Sequence, residues 1–159
     1  MNPVLIPEKK SAAGGNLKPG ILDYSAGPRA APPRTGINVL LADDHPLMRN
    51  GIKQCINDSP GMQVVGEAGT AAEVLEFLGR SECDVLVLDI DLPDRSGLEV
   101  LRILNLSHPA LPKIMLSQYS ENQFSPFCLR AGAAGFLNKA NAASQLVDAI
   151  RKAARGGLA

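Results

Sequence analysis

Short apolar runs alternate along this chain with longer stretches in which apolar residues return every three or four positions. Ile37–Ala42 (INVLLA), Met62–Ala68 (MQVVGEA), Val85–Asp89 (VLVLD), Lys113–Ser117 (KIMLS) and Gly135–Leu137 are the short runs. Their length and β-branched content predict buried strands. Between them lie helical patterns. His45-Pro46 opens the first, with Pro in the first turn, and Met48, Ile52, Cys55 and Ile56 share a face until Ser59-Pro60-Gly61 stops it. Thr70 with Glu73 is a capping-box pattern that starts a second helix, buried through Leu75 and Leu78 and ended by Gly79. Ser96 with Glu99 repeats the pattern ahead of Val100, Leu101 and Leu104. Ser120 with Gln123 repeats it again for a helix reaching about Ala131. Ala142–Ala154 is the last helix, with Leu146, Val147, Ile150 and Ala154 on one side.

Five strand–helix units in series, with strands apolar throughout, predict an α/β fold: a parallel sheet covered by helices on both faces. Right-handed crossovers restrict it to a few doubly wound orders. The run at Val85–Asp89 is the most apolar and is expected at the centre. In such sheets ligands bind beyond the carboxyl ends of the strands, which makes the residues at those ends the ones to inspect.

Composition changes this picture at the N-terminus. Residues 1–36 hold six of the twelve prolines and five of the fifteen glycines, so the stretch is expected to be a flexible tail ahead of a domain at 37–157. The formal charge of zero also conceals a division. The tail carries five basic and two acidic residues; the remainder carries eleven basic and fourteen acidic. An acidic domain gives no prior for broad attraction to nucleic acid or membrane surfaces. No apolar run approaches a membrane span, and Met1 to Lys10 lacks a signal-peptide core, so a cytoplasmic location is expected. Cys55, Cys83 and Cys128 are too few and scattered for a disulfide framework.

The strand ends carry the chemistry. The first ends in Asp43-Asp44, the third in Asp89, the fourth in Ser117, and Lys139 follows the fifth. Three carboxylates meeting at one rim repel one another unless a cation neutralises them. An oxygen-only donor set suits Mg²⁺. No His/Cys set favours zinc: His45 and His108 stand alone, and His45 is expected at the surface near the site. Lys139 and Ser117 supply a positive charge and a neutral donor for an anion with several oxygens. This layout suits transfer of a phosphoryl group to a carboxylate oxygen.

LLADDHPLMRNGI at 40–52, VLVLDIDLPDRSGLEVL at 85–101, IMLS at 114–117 and RAGAAGFLNKA at 130–140 occur in an order and spacing that resemble a response-regulator receiver domain of the NarL/FixJ type. The resemblance covers 37–157. It implies a flavodoxin-like, five-stranded sheet of order 2-1-3-4-5 with five helices. It also implies that Asp89 is the phosphoacceptor, that Asp44 binds Mg²⁺ directly and Asp43 through water, and that Asp91 offers the metal its backbone carbonyl. Ser117 and Lys139 would hold the phosphoryl group, and Phe136 stands where such domains carry a switching aromatic. A histidine kinase or phosphotransfer protein would be the donor. The fourth-helix, fifth-strand and last-helix face would bind an output partner or a second copy.

Several positions depart from the commonest form of that family. Ser117 replaces a frequent Thr, Phe136 lacks the phenol of a frequent Tyr, and Ala140 replaces a Pro, which removes the expectation of a cis peptide there. Asp91 and Tyr119 flank the acceptor and are expected to modulate loss of the phosphoryl group. Two other readings stand beside this one. Asp89-Ile90-Asp91 resembles the DxD nucleophile of Mg²⁺-dependent haloacid-dehalogenase-type phosphatases, although the acidic pair and the DxD strand come in reversed order and no cap domain is present. The chain could also be part of a DNA-binding transcription regulator, although it contains no DNA-reading element of its own. An enzymatic role beyond self-dephosphorylation is not expected.

Overall fold

The computed structural model describes residues 35–158. The predicted tail lies outside the described residues except for Thr35 and Gly36. Strands form where the apolar runs stand: β1 (Ile37–Ala42), β2 (Met62–Ala68), β3 (Val85–Asp89), β4 (Lys113–Ser117) and β5 (Gly135–Asn138). Helices fill the intervals: α1 (Pro46–Asn57), α2 (Ala71–Arg80), α3 (Gly97–Ser107), α4 (Glu121–Arg130) and α5 (Ala142–Ala154). The sheet order is β2-β1-β3-β4-β5, and every pairing is parallel. β3 is central, as its apolar sequence predicts.

A period of two divides the core although both faces are buried. Val39, Leu41, Val85, Val87, Ile114, Leu116 and Leu137 pack on Ile52 and Ile56 of α1 and on Leu146 and Ile150 of α5. Leu40, Leu86, Leu88 and Met115 pack on Val74 of α2, Leu101 and Leu104 of α3, and Cys128 of α4. Asp43, Asp89 and Lys139 continue the α1/α5-facing rows past the last apolar residue of β1, β3 and β5. The sheet pairing that aligns Leu41 with Val87 therefore also brings these charged side chains to one rim.

Local expectations fail where tertiary packing decides. Met48 is 37% exposed, and Ile52 and Ile56 alone of its predicted face are fully buried. α2 runs through Gly79 to Arg80, with Ser81 N–H closing on Phe77, and it buries Val74 ahead of Leu75. One mid-helix glycine costs about 1 kcal/mol, too little to end a helix held by Val74 and Leu78. In α5 the buried alanines are Ala142, Ala149 and Ala153, while Ala154 is exposed. Of the three capping boxes, Thr70 accepts from Glu73 N–H as predicted. Ser96 caps through Leu98 N–H instead, and Ser120 makes no side-chain cap. No disulfide joins the cysteines, and there is no cis peptide among the described residues.

α4 is held unevenly. It buries only Cys128, contains Pro126 and begins without a side-chain cap. Pro126 has no N–H to continue the helical ladder. At its other end Asn105 Nδ2 donates to Ala131 O at 2.6 Å, and the buried Lys113 ammonium donates to Asn105 Oδ1 and His108 O, each at 3.0 Å. Burial pulls Lys113 below the ordinary lysine value.

The β3–α3 loop is tied across to α2. Asp94 Oδ1 accepts from Ala71 N–H at 2.8 Å and Oδ2 from Ala72 N–H at 3.0 Å, so one carboxylate covers two of the free donors at the α2 N-terminus. Those two bonds hold the Asp94 carboxyl below its ordinary value of 3.8. A carboxylate whose folded value is depressed stabilises above the unfolded value and ceases to do so as pH falls through the folded one. Asp94→Ala is therefore expected to lower the Tm near neutral pH, and the gap to the wild type should narrow as pH drops below 3.8. Thermal melts across that window check this; a gap independent of pH would rule out the capping role.

Candidate functional site

Asp43 follows β1 directly, and Asp89 is the last residue of β3; both are fully buried. Lys139 comes in from the end of β5 and is also buried. Its ammonium donates to Asp89 Oδ2 at 2.6 Å and pairs with Asp43 Oδ2 at 3.0 Å, the second contact being an ion pair off hydrogen-bond alignment. Burial pushes the Asp89 carboxyl upward, against the hydrogen bonds from Lys139 and from the Asp91 N–H, and the charge of Asp43 adds to the push. For Lys139, burial works against the charge, but hydrogen bonds and attraction from Asp89 and Asp43 outweigh it and hold the ammonium above its ordinary 10.5. The rim therefore keeps a full positive charge at neutral pH beside a carboxylate made more basic by its surroundings.

Asp44 lies at the mouth with its side chain partly exposed. Oxygens of Asp43, Asp44 and Asp89 and a ring nitrogen of His45 lie within 4.8 Å of one another. Asp43 Oδ2 and Asp44 Oδ1 are buried atoms without a hydrogen bond. Hard oxygen donors in excess of the single ammonium fit a divalent cation such as Mg²⁺.

Gly97 opens α3 because nothing larger fits: a Cβ there would overlap the Asp89 carbonyl and crowd Ile90 Cα. Gly97 N–H also bonds to Ile90 O at 2.8 Å. The helix start is thus packed against the backbone that carries Asp89.

Ser117 ends β4 and is fully buried, its Oγ accepting from Tyr119 N–H at 3.0 Å. Tyr119 reaches the site through that backbone group; its ring stacks on Phe124 with centroids 4.7 Å apart. Asp91 is exposed, with its N–H on Asp89 Oδ1 at 3.1 Å. Phe136 is 6% exposed and already packed in the core with Met115 and Cys128. The structure thus gathers Asp43, Asp44, Asp89 and Lys139, buries Ser117 at the end of β4 beside Tyr119, and places Phe136 in the core.

Sequence reasoning passed over two residues here. Arg49 donates from Nη1 to the Asp43 carbonyl at 2.7 Å, while its Nε lies 3.4 Å from Glu67, which also pairs with Lys53 at 2.6 Å. A cation in the first turn of a helix opposes the macrodipole, and that misfit was the available signal. Asn138 donates from Nδ2 to Tyr119 O at 2.9 Å and accepts from Ala140 N–H at 2.8 Å, joining β5 to the β4–α4 loop. His45 is half exposed beside the site, as expected from sequence, and its backbone and ring both meet the acidic pair. Its N–H donates to Asp43 Oδ1 at 2.8 Å, and its Nδ1 lies 2.8 Å from Asp44 Oδ1.

A rim of this kind on a five-stranded 2-1-3-4-5 sheet defines a signalling receiver module, and comparison with known proteins agrees. Residues 39–151 match the model of the response regulator receiver domain, and the chain belongs to that family. It is 38% identical over 120 residues to the response regulator UvrY of Escherichia coli K12, covering 76% of this chain and 55% of that protein. It is also 38% identical over 115 residues to the response regulator GacA of Pseudomonas viridiflava, covering 72% and 54%. Among solved structures, the signal receiver domain of NarL from Mycobacterium tuberculosis superposes with a TM-score of 0.71 at 31% identity, covering 76% of this chain and 98% of that one. The chain spans about half the length of the curated relatives it matches. It is a two-component receiver, and the phosphatase reading is not favoured. Among the described residues no helix is long and apolar enough to cross a membrane.

Arg49 fixes the backbone under the acidic pair without being a donor to the cation. Arg49→Ala is expected to weaken Mg²⁺ binding about tenfold, the range typical of residues that orient a metal's ligands. Arg49→Lys should restore part of it. Calorimetric titration with Mg²⁺ measures this, and an unchanged affinity in Arg49→Ala would remove the role.

Proposed function

We propose that this chain is a phosphoacceptor switch in which Asp89 takes a phosphoryl group from a histidine kinase or phosphotransfer protein. The observation that carries this reading is the buried contact of Lys139 Nζ with Asp89 Oδ2 at 2.6 Å and Asp43 at 3.0 Å. An Asp89 oxygen attacks phosphorus, the P–N bond of the phosphohistidine breaks, and an acyl phosphate remains. Lys139 then exchanges its carboxylate partner for a phosphoryl oxygen, keeping the charge matched throughout. The Ser117 hydroxyl accepts from Tyr119 N–H and has its own proton free to donate to another phosphoryl oxygen. Asp43, Asp44 and Asp89, with the backbone carbonyl of Asp91, would hold Mg²⁺. When bound, the ion would offset the charge shared between carboxylates and phosphoryl oxygens.

Engaging Ser117 and Lys139 would act on the β4–α4 loop through Tyr119 N–H and through Asn138, next to Lys139. The loosely held start of α4 is the element most ready to respond. Phe127 and Leu129 of α4 are exposed, which supports that helix, β5 and α5 as the face for an output partner or a second copy. Phe136, packed inward here, would add its rotamer to the two states, and Asp91 and Tyr119 would tune decay of the adduct, including self-dephosphorylation. The single compact unit formed by the described residues 35–158 supports 37–157 as the receiver, and a cytoplasmic location follows from the two-component role.

The donor needs a landing surface beside the rim. A cavity of about 480 Å³ adjoins it, lined by His45, Leu47, Met48, Gln118, Asn138, Lys139 and Ala140. Leu47 is 88% exposed beside it, an apolar contact suited to a protein donor and irrelevant to a small one.

Two measurements test this reading. With acetyl phosphate and Mg²⁺ the chain is expected to form an acid-stable, base-labile adduct that Asp89→Asn cannot form; an adduct persisting in that variant would overturn the assignment. Leu47→Glu is expected to slow transfer from a protein phosphohistidine donor by about tenfold, the effect of losing one central apolar contact, and to leave labelling by acetyl phosphate at the wild-type rate. Equal slowing with both donors would show that Leu47 supports the site itself rather than the donor.

A further inference from the structure

We infer that Asn138 is a positioning residue for phosphoryl transfer: its side-chain amide ties the backbone beside Lys139 to the loop after Ser117, and so sets both of the groups offered to the phosphoryl oxygens. This rests on the phosphoacceptor reading above and adds to it a residue that touches neither the phosphoryl group nor the cation.

Asn138 is the last residue of β5 and pairs with Ser117, the last residue of β4. Lys139 N–H then donates to Ser117 O at 2.8 Å, which keeps the two segments joined one step past the sheet. Beyond that step the Asn138 side chain takes over. Its Oδ1 accepts from Ala140 N–H at 2.8 Å, an Asx turn that spans Lys139. The backbone of Lys139 is thus bonded on both sides of its Cα. Its ammonium stands at the end of a four-carbon stem, and this root aims it at Asp89 Oδ2, 2.6 Å away, and Asp43 Oδ2, 3.0 Å away. The turn needs an N–H at position 140, which Ala supplies and Pro would lack.

The other half of the amide faces the β4–α4 loop. Nδ2 donates to Tyr119 O at 2.9 Å and to Gln118 O at 3.4 Å. Tyr119 N–H in turn donates to Ser117 Oγ at 3.0 Å. That bond occupies one lone pair of the hydroxyl and leaves its proton to point elsewhere. One residue therefore holds both the segment that orients Ser117 and the segment that roots Lys139.

The carboxylates come from the ends of β1 and β3, whereas these side-chain bonds of Asn138 go to the β4–α4 and β5–α5 loops. Donors aimed in advance at charge that develops during transfer act on its rate, and a misplaced donor loses that effect. Asn138 thus governs how fast the phosphoryl group moves, and not how tightly the cation is held.

The test uses the full chain, acetyl phosphate as donor and saturating Mg²⁺. An Asp89 oxygen bonds to phosphorus, the bond from phosphorus to the acetyl oxygen breaks, and acetate leaves with the electron pair. Asn138→Ala is expected to slow labelling about tenfold, the effect of one lost hydrogen bond, with the Mg²⁺ affinity measured by calorimetry at its wild-type value. Asn138→Ser should regain part of the rate, because a hydroxyl can accept from Ala140 N–H in the same kind of turn. In a Ser117→Ala background the loss caused by Asn138→Ala should shrink, since half of its route is gone. Labelling of Asn138→Ala at the wild-type rate would overturn the inference. So would a fall in Mg²⁺ affinity as large as the fall in rate, a Ser variant no faster than the Ala variant, or an undiminished loss in the Ser117→Ala background. A wild type that forms no adduct at Asp89 would sink the phosphoacceptor reading instead.

Discussion

The fold closes around one buried arrangement of charge: an ammonium lodged between two carboxylates that arrive from different strands. Removing such groups from water costs several kcal/mol per ion unless geometry and hydrogen bonds restore what water supplied. Lys139 meets that demand with Asp89 at 2.6 Å and Asp43 at 3.0 Å, and each group alone at this depth would be strongly disfavoured. The arrangement requires β1, β3 and β5 to end at one level. It also requires Gly97, since any side chain there would displace the Asp89 backbone. The apolar rows of the sheet are what hold three like and unlike charges at fixed distances.

A second buried lysine shows why position matters more than residue type. Lys113 stands at the opposite end of the sheet and is 2% exposed. Its partners are neutral, the Asn105 amide oxygen and the carbonyl of His108 at the C-terminal end of α3, where the helix dipole is negative. Burial lowers its affinity for a proton, whereas the carboxylates raise that of Lys139. Lys113 therefore fastens α3 to α4, whereas Lys139 is a cation held by anionic partners at the rim.

Most of this was legible in the sequence because it depends on period and order. The alternation of strand and helix gave the order of the elements and the residues at the strand ends. The rows facing α1 and α5, which the carboxylates and lysine extend, came from the structure, because strands apolar throughout do not mark their two faces. What escaped depends on where a side chain of adjustable length reaches. Arg49 spans from α1 to the carbonyl of Asp43 and toward Glu67 on β2, a contact that no spacing rule encodes. His45 stands half exposed beside the site as expected, but the backbone bond to Asp43 Oδ1 that ties it there is likewise not encoded by spacing. Asp94 serves α2, twenty-three positions away, because the β3–α3 loop passes that helix start, a contact that the local sequence does not announce. The capping boxes at Ser96 and Ser120 failed for a related reason: local side-chain bonds yield when packing has already set the angle of the chain, as Gly97 does for α3.

The departures from the commonest family sequence also acquire a structural logic. Phe136 lacks a hydroxyl and sits inside the core, so it offers no polar link between the rim and α4. That link runs through Asn138 instead, which holds Tyr119 O and Ala140 N–H from the residue next to Lys139. Tyr119 in turn has its N–H on Ser117 and its ring on Phe124 of α4. The start of α4 is thereby joined to the rim through Asn138, whose N–H also donates to Glu121 Oε1 at 3.4 Å, while Asn105 and Lys113 keep the far end in place. Under the proposed transfer, an anion held by Lys139 and Ser117 would therefore act on a helix whose start has no side-chain cap and whose middle carries Pro126.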